Sequence, residues 1–171
     1  MTVKDCRIEI NLAEQTLSLL SGSDLLRRYP VSTAKNGPGE KMDSECTPRG
    51  HHVIAEKIGA GCPLNSVFVG RRESGEIYAA ELRARDPQRD WILTRILWLR
   101  GTEPGRNLEG EVDSYRRYIY IHGTPDDVDM RVPGSRGCIR LRNLDMVELF
   151  DSVEEGTAVC IVEGERHATP A

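Results

Sequence analysis

Two nearby segments decide the fold of this chain: Tyr118-Ile-Tyr-Ile-His-Gly-Thr124 and Ser135-Arg-Gly-Cys-Ile-Arg-Leu141. The first is rich in β-forming residues and runs into a glycine, a threonine and a proline, so it predicts a strand that ends at a loop, with His122 at the strand end. The second segment places Cys138 just before a strand or a helix. Asn143 is suited to cap a helix, because apolar residues follow it at helical spacing.

The pairing of a histidine with a cysteine is typical of catalysis by a thiolate nucleophile. A free thiol has a pKa of about 8.5 and is mostly protonated at neutral pH, so His122 is the candidate base for Cys138. Gly137 leaves room for a substrate carbonyl, and the backbone N–H groups of Gly137 and Cys138 are candidate donors to an oxyanion. The alternative is a small buried cysteine and a structural histidine. The flanking residues favour the catalytic interpretation.

The order His-Gly, eleven residues, then Ser-Arg-Gly-Cys-Ile-Arg-Leu resembles the catalytic motif of the L,D-transpeptidase family, also called the YkuD domain family. The resemblance implies that Cys138 is the nucleophile, that His122 is the base, and that a main-chain carbonyl of Gly123 or Ser135 orients the imidazole. Arg136 stands where many members have histidine. The segments Tyr29–Lys35, Thr47–His51 and Gly156–Val162 also resemble framework segments of the family.

Arginines are concentrated around the cysteine. Because arginine pairs with carboxylates and favours a thiolate, the cluster Arg131, Arg136, Arg140 and Arg142 indicates an anionic peptide substrate. The alternative is that these arginines form structural pairs with nearby aspartates. The resemblance implies a peptidoglycan stem tetrapeptide or muropeptide, attacked at the L-centre of meso-diaminopimelate with release of D-alanine. The residues expected to contact it are Arg140, Arg136, Arg49, His51 and Tyr120.

The spacing of apolar residues predicts a mainly β chain. Strands are expected over residues 8–12, 17–19, up to 31, 53–56, 66–70, 91–100, 115–122 and 157–162, with one helix over 144–155. Residues 71–90 leave a helix, a hairpin and a loop open. The resemblance implies a β-sandwich or open barrel with one helix after the catalytic cysteine. Residues 1–171 are expected to form a single catalytic domain.

Composition limits the partners. The chain has 23 basic and 27 acidic side chains, a net charge of -4, which argues against general binding of nucleic acid. His51 and His52 are adjacent and should point to opposite faces of a strand, so we expect no metal site. No cofactor is implied. The five cysteines form no CxxC pair, and their odd number fits a reducing compartment.

The amino-terminal residues lack the apolar segment of an export signal, and no stretch reaches the ~20 apolar residues of a membrane span. We therefore expect a cytoplasmic enzyme that hydrolyses tetrapeptides from wall turnover, an L,D-carboxypeptidase of peptidoglycan recycling. One alternative is a periplasmic enzyme whose signal has been removed from the given sequence and which forms cross-links. Another is a catalytically silent module that binds stem peptides. The oligomeric state stays open.

Overall fold

Ten strands, two α-helices and one 3-10 turn organise residues 5–164, the part of the chain that the computed structural model describes. The strands are β1 (Cys6–Asn11), β2 (Thr16–Ser21), β3 (Asp24–Pro30), β4 (Gly50–Ile58), β5 (Ser66–Val69), β6 (Arg72–Ile77), β7 (Ile92–Gly101), β8 (Tyr120–Gly123), β9 (Ile139–Leu141) and β10 (Ala158–Val162). The helices are α1 (Ala80–Arg85) and α2 (Asn143–Ser152), and the 3-10 turn is Gly110–Val112. The predicted mainly β fold with a helix after Cys138 is confirmed.

All ten strands belong to one mixed sheet with the order β3-β2-β1-β10-β4-β7-β5-β6, to which β8 adds beside β7 and β9 beside β8. β1, β2 and β3 form the predicted antiparallel meander. β10 runs parallel to β1, and β9 runs parallel to β8. Beyond β3, Ser32 and Arg140 exchange two backbone hydrogen bonds of 3.0 Å. The sheet path therefore returns from β3 to β9, as in a barrel.

The main core lies between this wrapped sheet and α2. Helix α2 contributes Met146, Leu149 and Phe150 to the same buried cluster as β7, β8 and β9. Burying one such side chain stabilises the fold by about 1.5–3 kcal/mol. Helix and sheet therefore fix each other, and with them the short strands β8 and β9 on either side of the loop between His122 and Cys138.

Two of the predicted boundaries were wrong. Strand β8 begins at Tyr120 and not at Tyr115, because a carboxylate oxygen of Asp113 accepts the backbone N–H of Arg116 at 3.0 Å and helps fold residues 113–118 into turns. Helix α2 ends at Ser152 and not at residue 155. Asn143 is also not its capping residue, since the helix has no side-chain cap and starts at Asn143 itself.

The segment 71–90, which the sequence left open, contains both the strand β6 and the short helix α1. β6 pairs with β5 in a hairpin. No helix within residues 5–164 is long and apolar enough to cross a membrane.

Candidate active site

A cavity of about 260 Å³ opens beside the first residues of the parallel strands β8 and β9, and both His122 and Cys138 line it. The parallel pairing of β8 with β9 explains this, because it sets His122 opposite Arg140 and leaves Cys138 one residue before β9. The backbone N–H of Tyr120 donates to the Cys138 sulfur at 3.3 Å. The thiol itself donates to the carbonyl oxygen of Tyr118 at 3.4 Å.

The imidazole of His122 is held in one tautomer. Its Nδ1 lies 2.6 Å from the carbonyl oxygen of Gly123. A carbonyl only accepts, so Nδ1 carries the proton and Nε2 keeps a free lone pair. The ring is 1% exposed, and burial lowers the pKa of His122, opposed in part by Asp90 and by this hydrogen bond. His122 is therefore neutral at neutral pH and able to accept a proton at Nε2.

Cys138 is a thiol in the resting protein. Burial raises its pKa to about 12, and Asp90 acts in the same direction. The N–H of Tyr120 and the charges of Arg117 and Arg140 lower the pKa, but by less than burial raises it. Arginine thus favours the thiolate as expected, without producing one. The proton must leave as the sulfur attacks, and this requires a base such as His122.

The loop before Cys138 is fixed by side-chain hydrogen bonds. The hydroxyl of Ser135 donates to the carbonyl of Cys138 at 2.6 Å and accepts the N–H of Gly137 at 3.2 Å. The hydroxyl of Thr47 donates to the Gly137 carbonyl at 2.8 Å. The Gly137 N–H is therefore already engaged, contrary to the prediction that it is free for an oxyanion. The N–H of Tyr120, beside the sulfur, is a donor at that centre which the sequence did not indicate.

Of the two carbonyls predicted to orient His122, that of Gly123 does so. The carbonyl of Ser135 instead accepts the N–H of Lys35 at 2.9 Å. Ser135 thus acts through its hydroxyl and its backbone together, because both hold the cysteine loop.

The arginines near Cys138 do not pair with the neighbouring aspartates. None of the ion pairs within residues 5–164 involves Arg131, Arg136, Arg140 or Arg142, and Asp127 pairs with Arg83. Arg136 lines the cavity. Arg140 is partly buried, donates to the Ser32 hydroxyl at 2.7 Å, and has a buried Nε without a partner.

The structure does not bring Arg49 and His51 to the cavity. Arg49 pairs with Glu40 at 3.1 Å and with Glu163 at 3.0 Å. His51 is exposed on β4, whereas the adjacent His52 is buried, so the two rings lie on opposite faces of the strand. Neither Arg49 nor His51 lines the cavity, so the predicted contacts of these two residues with a substrate gain no support from its lining. Within residues 47–51, Thr47 contacts the loop before Cys138 through its hydrogen bond to the Gly137 carbonyl.

Three charged residues of the cavity were missed by sequence reasoning: Arg71, Asp90 and Arg117. Arg71 donates to the hydroxyl of Tyr120 at 3.2 Å, and its guanidinium lies 4.7 Å from the ring centre of Tyr118. Tyr120, a predicted contact residue, also lines the cavity. Arg71 and Asp90 are the first and last residues of the segment 71–90, whose sequence has no clear periodicity. Only the tertiary fold brings them to Cys138.

Known proteins resemble this chain in sequence and in fold. The family model described as the L,D-transpeptidase catalytic domain (YkuD) matches residues 5–161. Over 47 residues the chain is 47% identical to the probable L,D-transpeptidase ErfK/SrfK of Escherichia coli (strain K12). The matched stretch is 28% of this chain and 15% of that protein.

Solved structures share the fold at low identity. An L,D-transpeptidase from Mycobacterium smegmatis has a TM-score of 0.53 at 18% identity, over 92% of this chain and 58% of that one. An L,D-transpeptidase from Xylanimonas cellulosilytica DSM 15894 has a TM-score of 0.53 at 18% identity, over 94% of this chain and 62% of that one. LdtMt1 in complex with imipenem has a TM-score of 0.55 at 18% identity, over 92% of this chain and 59% of that one. This chain thus covers less than two thirds of each of these proteins.

Proposed function

Because this chain belongs to the L,D-transpeptidase (YkuD) catalytic domain family, we propose that it is a peptidoglycan-active cysteine enzyme with Cys138 as nucleophile and His122 as base. The observation that carries the proposal is the shared cavity. In it a neutral imidazole, oriented by the Gly123 carbonyl, faces the same space as a thiol that still holds its proton.

The proposed reaction begins with attack of the Cys138 sulfur on the carbonyl carbon at the L-centre of meso-diaminopimelate. As the C–S bond forms, the thiol proton moves to Nε2 of His122 and the carbonyl electrons move to oxygen. Collapse of this intermediate breaks the bond to D-alanine, whose nitrogen takes the proton from His122. The product is a thioester on Cys138. The N–H of Tyr120, which donates to the Cys138 sulfur, is placed to stabilise the negative charge that develops on the sulfur as its proton leaves.

The charges of the cavity suit the side chain of meso-diaminopimelate. That side chain ends in an ammonium and a carboxylate, and the cavity offers Asp90 together with Arg71 and Arg136. Guanidinium groups bind carboxylates with charge-assisted hydrogen bonds, and Asp90 attracts the ammonium. Arg140, which lacks an ion pair among the described residues, adds positive potential behind the sulfur.

We propose that water is the usual acceptor, which makes the protein an L,D-carboxypeptidase of peptidoglycan recycling in the cytoplasm. All five cysteines, including Cys138, are unpaired, as suits a reducing compartment. In that compartment polymerised strands are out of reach, whereas tetrapeptides returned from wall turnover are available. Hydrolysis of the thioester then yields a tripeptide.

Cross-linking is the second candidate, and a specific feature favours it. A further cavity of about 220 Å³ adjoins the first and shares Arg117, Tyr118, Ile119 and Arg136 with it. Its lining also includes Asp43 and Glu45, whose carboxylates would attract the ammonium group of an acceptor stem. An amine bound there would compete with water for the thioester.

The test is incubation of the purified protein with disaccharide tetrapeptide, followed by mass spectrometry. We expect loss of one alanine without a dimer, and no reaction with Cys138→Ala. Cys160→Ser is the matched control and should keep its activity. Dimer as the main product would favour cross-linking, and so would periplasmic location of the tagged protein in its native host.

Imipenem offers a test of the nucleophile that needs no stem peptide, because LdtMt1 has been solved in complex with it. We expect a mass increase by one imipenem, confined to a peptide that contains Cys138. A protein that binds tetrapeptide but is neither acylated by imipenem nor alkylated at Cys138 would instead be a silent binding module.

A further inference from the structure

A network of buried polar side chains lies beneath the loop that follows His122. Asn143 is 4% exposed, and its Oδ1 accepts the hydroxyl of Thr94 at 2.6 Å. Its Nδ2 donates to the carbonyl oxygen of Thr124 and to Oδ1 of Asn65, both at 3.0 Å, while Oδ1 of Asp126 lies at 3.3 Å. One amide therefore connects the start of α2 with β7, with the residue before β5, and with the loop after β8.

This network packs directly against Gly123. A Cβ on Gly123 would lie 2.7 Å from the carbonyl oxygen of Leu93 and closer still to Oδ1 of Asn143. The Cα of Gly123 is thus fixed by packing, and the next carbonyl, that of Thr124, is fixed by Nδ2 of Asn143. Because a peptide unit is planar, restraints on both sides limit the direction of the Gly123 carbonyl. That carbonyl holds Nδ1 of His122.

Thr94 shows that the fold accepts strain at this point. Its φ is +74°, a left-handed conformation that is costly for a β-branched residue, and it lies in a bulge of β7 where Leu93 pairs with Gly123 and Ile96 pairs with His122. The Thr94 hydroxyl is satisfied on both sides, since it accepts the N–H of Asn65 at 3.1 Å and donates to Asn143. The side-chain network therefore holds the bulge in place.

We propose that Asn143, supported by Thr94, is a positioning residue that fixes the Gly123 carbonyl and thereby keeps the His122 proton on Nδ1. The inference rests on the proposed function, because it takes His122 as the base for Cys138. In the opposite tautomer Nε2 would carry the proton and could not accept another from the thiol. Asn143 and Thr94 are buried outside the lining of the cavity, so they act through Gly123.

Asn143→Asp is the sharpest variant, because it keeps the size and the acceptor for Thr94 but removes both N–H donors. We expect kcat for stem tetrapeptide to fall about 10- to 100-fold, with KM changed by less than about threefold. In ¹H–¹⁵N spectra the two ring nitrogens of His122 should change from a single Nδ1–H form to a mixture. Thr94→Val should shift both readouts in the same direction, and Thr94→Ser, which keeps the hydroxyl, should restore them.

Tyr29→Phe is the matched control. It removes a hydrogen bond of 2.7 Å between the Tyr29 hydroxyl and Glu148, which lies on α2 more than one turn beyond Asn143, and should leave kcat and the tautomer unchanged. The proposal is overturned if folded Asn143→Asp keeps the Nδ1–H form and the original kcat, or if Tyr29→Phe alters the tautomer equally. Should Asn143→Asp not fold, Thr94→Val against Thr94→Ser decides in the same way.

The spectra also separate this inference from the proposed function, because they require no turnover. Without activity on any stem peptide, a mixed tautomer in Asn143→Asp would still support the role of Asn143. The substrate assignment alone would then fail.

Discussion

The protonation state of Cys138 is the property that most directly tests the active-site geometry. Burial raises its pKa from 9.0 to about 12, so the resting group is a thiol in the same cavity as a neutral His122. Iodoacetamide reacts only with the thiolate, so the alkylation rate reports this state. A variant with serine at the other four cysteine positions makes Cys138 the single reporter. Those four positions are 6, 46, 62 and 160.

The expected change in the alkylation rate follows from the shift in the pKa of Cys138. A rise from 9.0 to about 12 lowers the thiolate fraction about 1000-fold at any pH well below 9. A more basic thiolate is intrinsically more nucleophilic, by about 20-fold for such a shift. At pH 7.5 native Cys138 should therefore react about 50-fold more slowly than the same thiol in the denatured chain.

The assay is the alkylation rate by intact mass over a pH series, for native and denatured protein. The native rate should still be rising at about pH 10, whereas the denatured rate should level off near the ordinary pKa of a thiol. The raised pKa of Cys138 also makes the free energy of unfolding depend on pH. Because the folded pKa is the higher one, the contribution of Cys138 to the free energy of unfolding is complete below pH 9 and is lost as the pH rises towards 12.

A plateau in the native rate between about pH 5 and pH 8 would refute this reasoning. It would mean that Cys138 and His122 form a thiolate–imidazolium pair at rest, and that neighbouring charges outweigh burial. Loss of the plateau in His122→Ala would then identify the imidazolium as the source of that charge.

Three further outcomes are expected. His122→Ala should slow acylation of Cys138 by stem tetrapeptide about 100- to 10,000-fold in single-turnover mass spectrometry, and an unchanged rate would exclude His122 as the base. Burial lowers the pKa of His52 to about 4. The neutral ring therefore contributes about 3 kcal/mol to the free energy of unfolding. This contribution is complete above pH 6.5 and should be lost as the pH falls to 4. Urea unfolding at the two pH values measures this loss, and His52→Gln should lack it. Gly123→Ala should cost about 1–3 kcal/mol of unfolding free energy and lower kcat, because its methyl group meets Asn143 and Leu93; unaltered unfolding would show that the loop relaxes freely.

The sequence by itself determined the local order of the site. The alternating and helical spacings around Tyr118–Leu141 place His122 in a strand that ends in a loop and a helix soon after Cys138, and β8, β9 and α2 follow that order. Such patterns are readable because strand and helix periods act over a few residues. The spacing between His122 and Cys138 also carried the family resemblance, which the match over residues 5–161 confirms.

The sequence predictions failed where specific hydrogen bonds determine the local backbone. Tyr115 and Tyr118 are strand-forming residues, yet Asp113 holds this segment in turns and β8 starts later. Asn143 has the chemistry of a helix cap, but its amide is used by Thr94, Asn65 and Thr124. In both cases a particular hydrogen-bond partner outweighed the average preference of the residue type.

Only the tertiary structure decided the charges and protonation states of the site. Arg71, Asp90 and Arg117 reach the cavity from three separate segments, whereas Arg49 is neutralised by its own ion pairs. The pKa of Cys138 depends on burial first and on these charges second. Burial and Coulomb interactions depend on distances in space, which residues far apart in the chain acquire only when the sheet wraps around and closes.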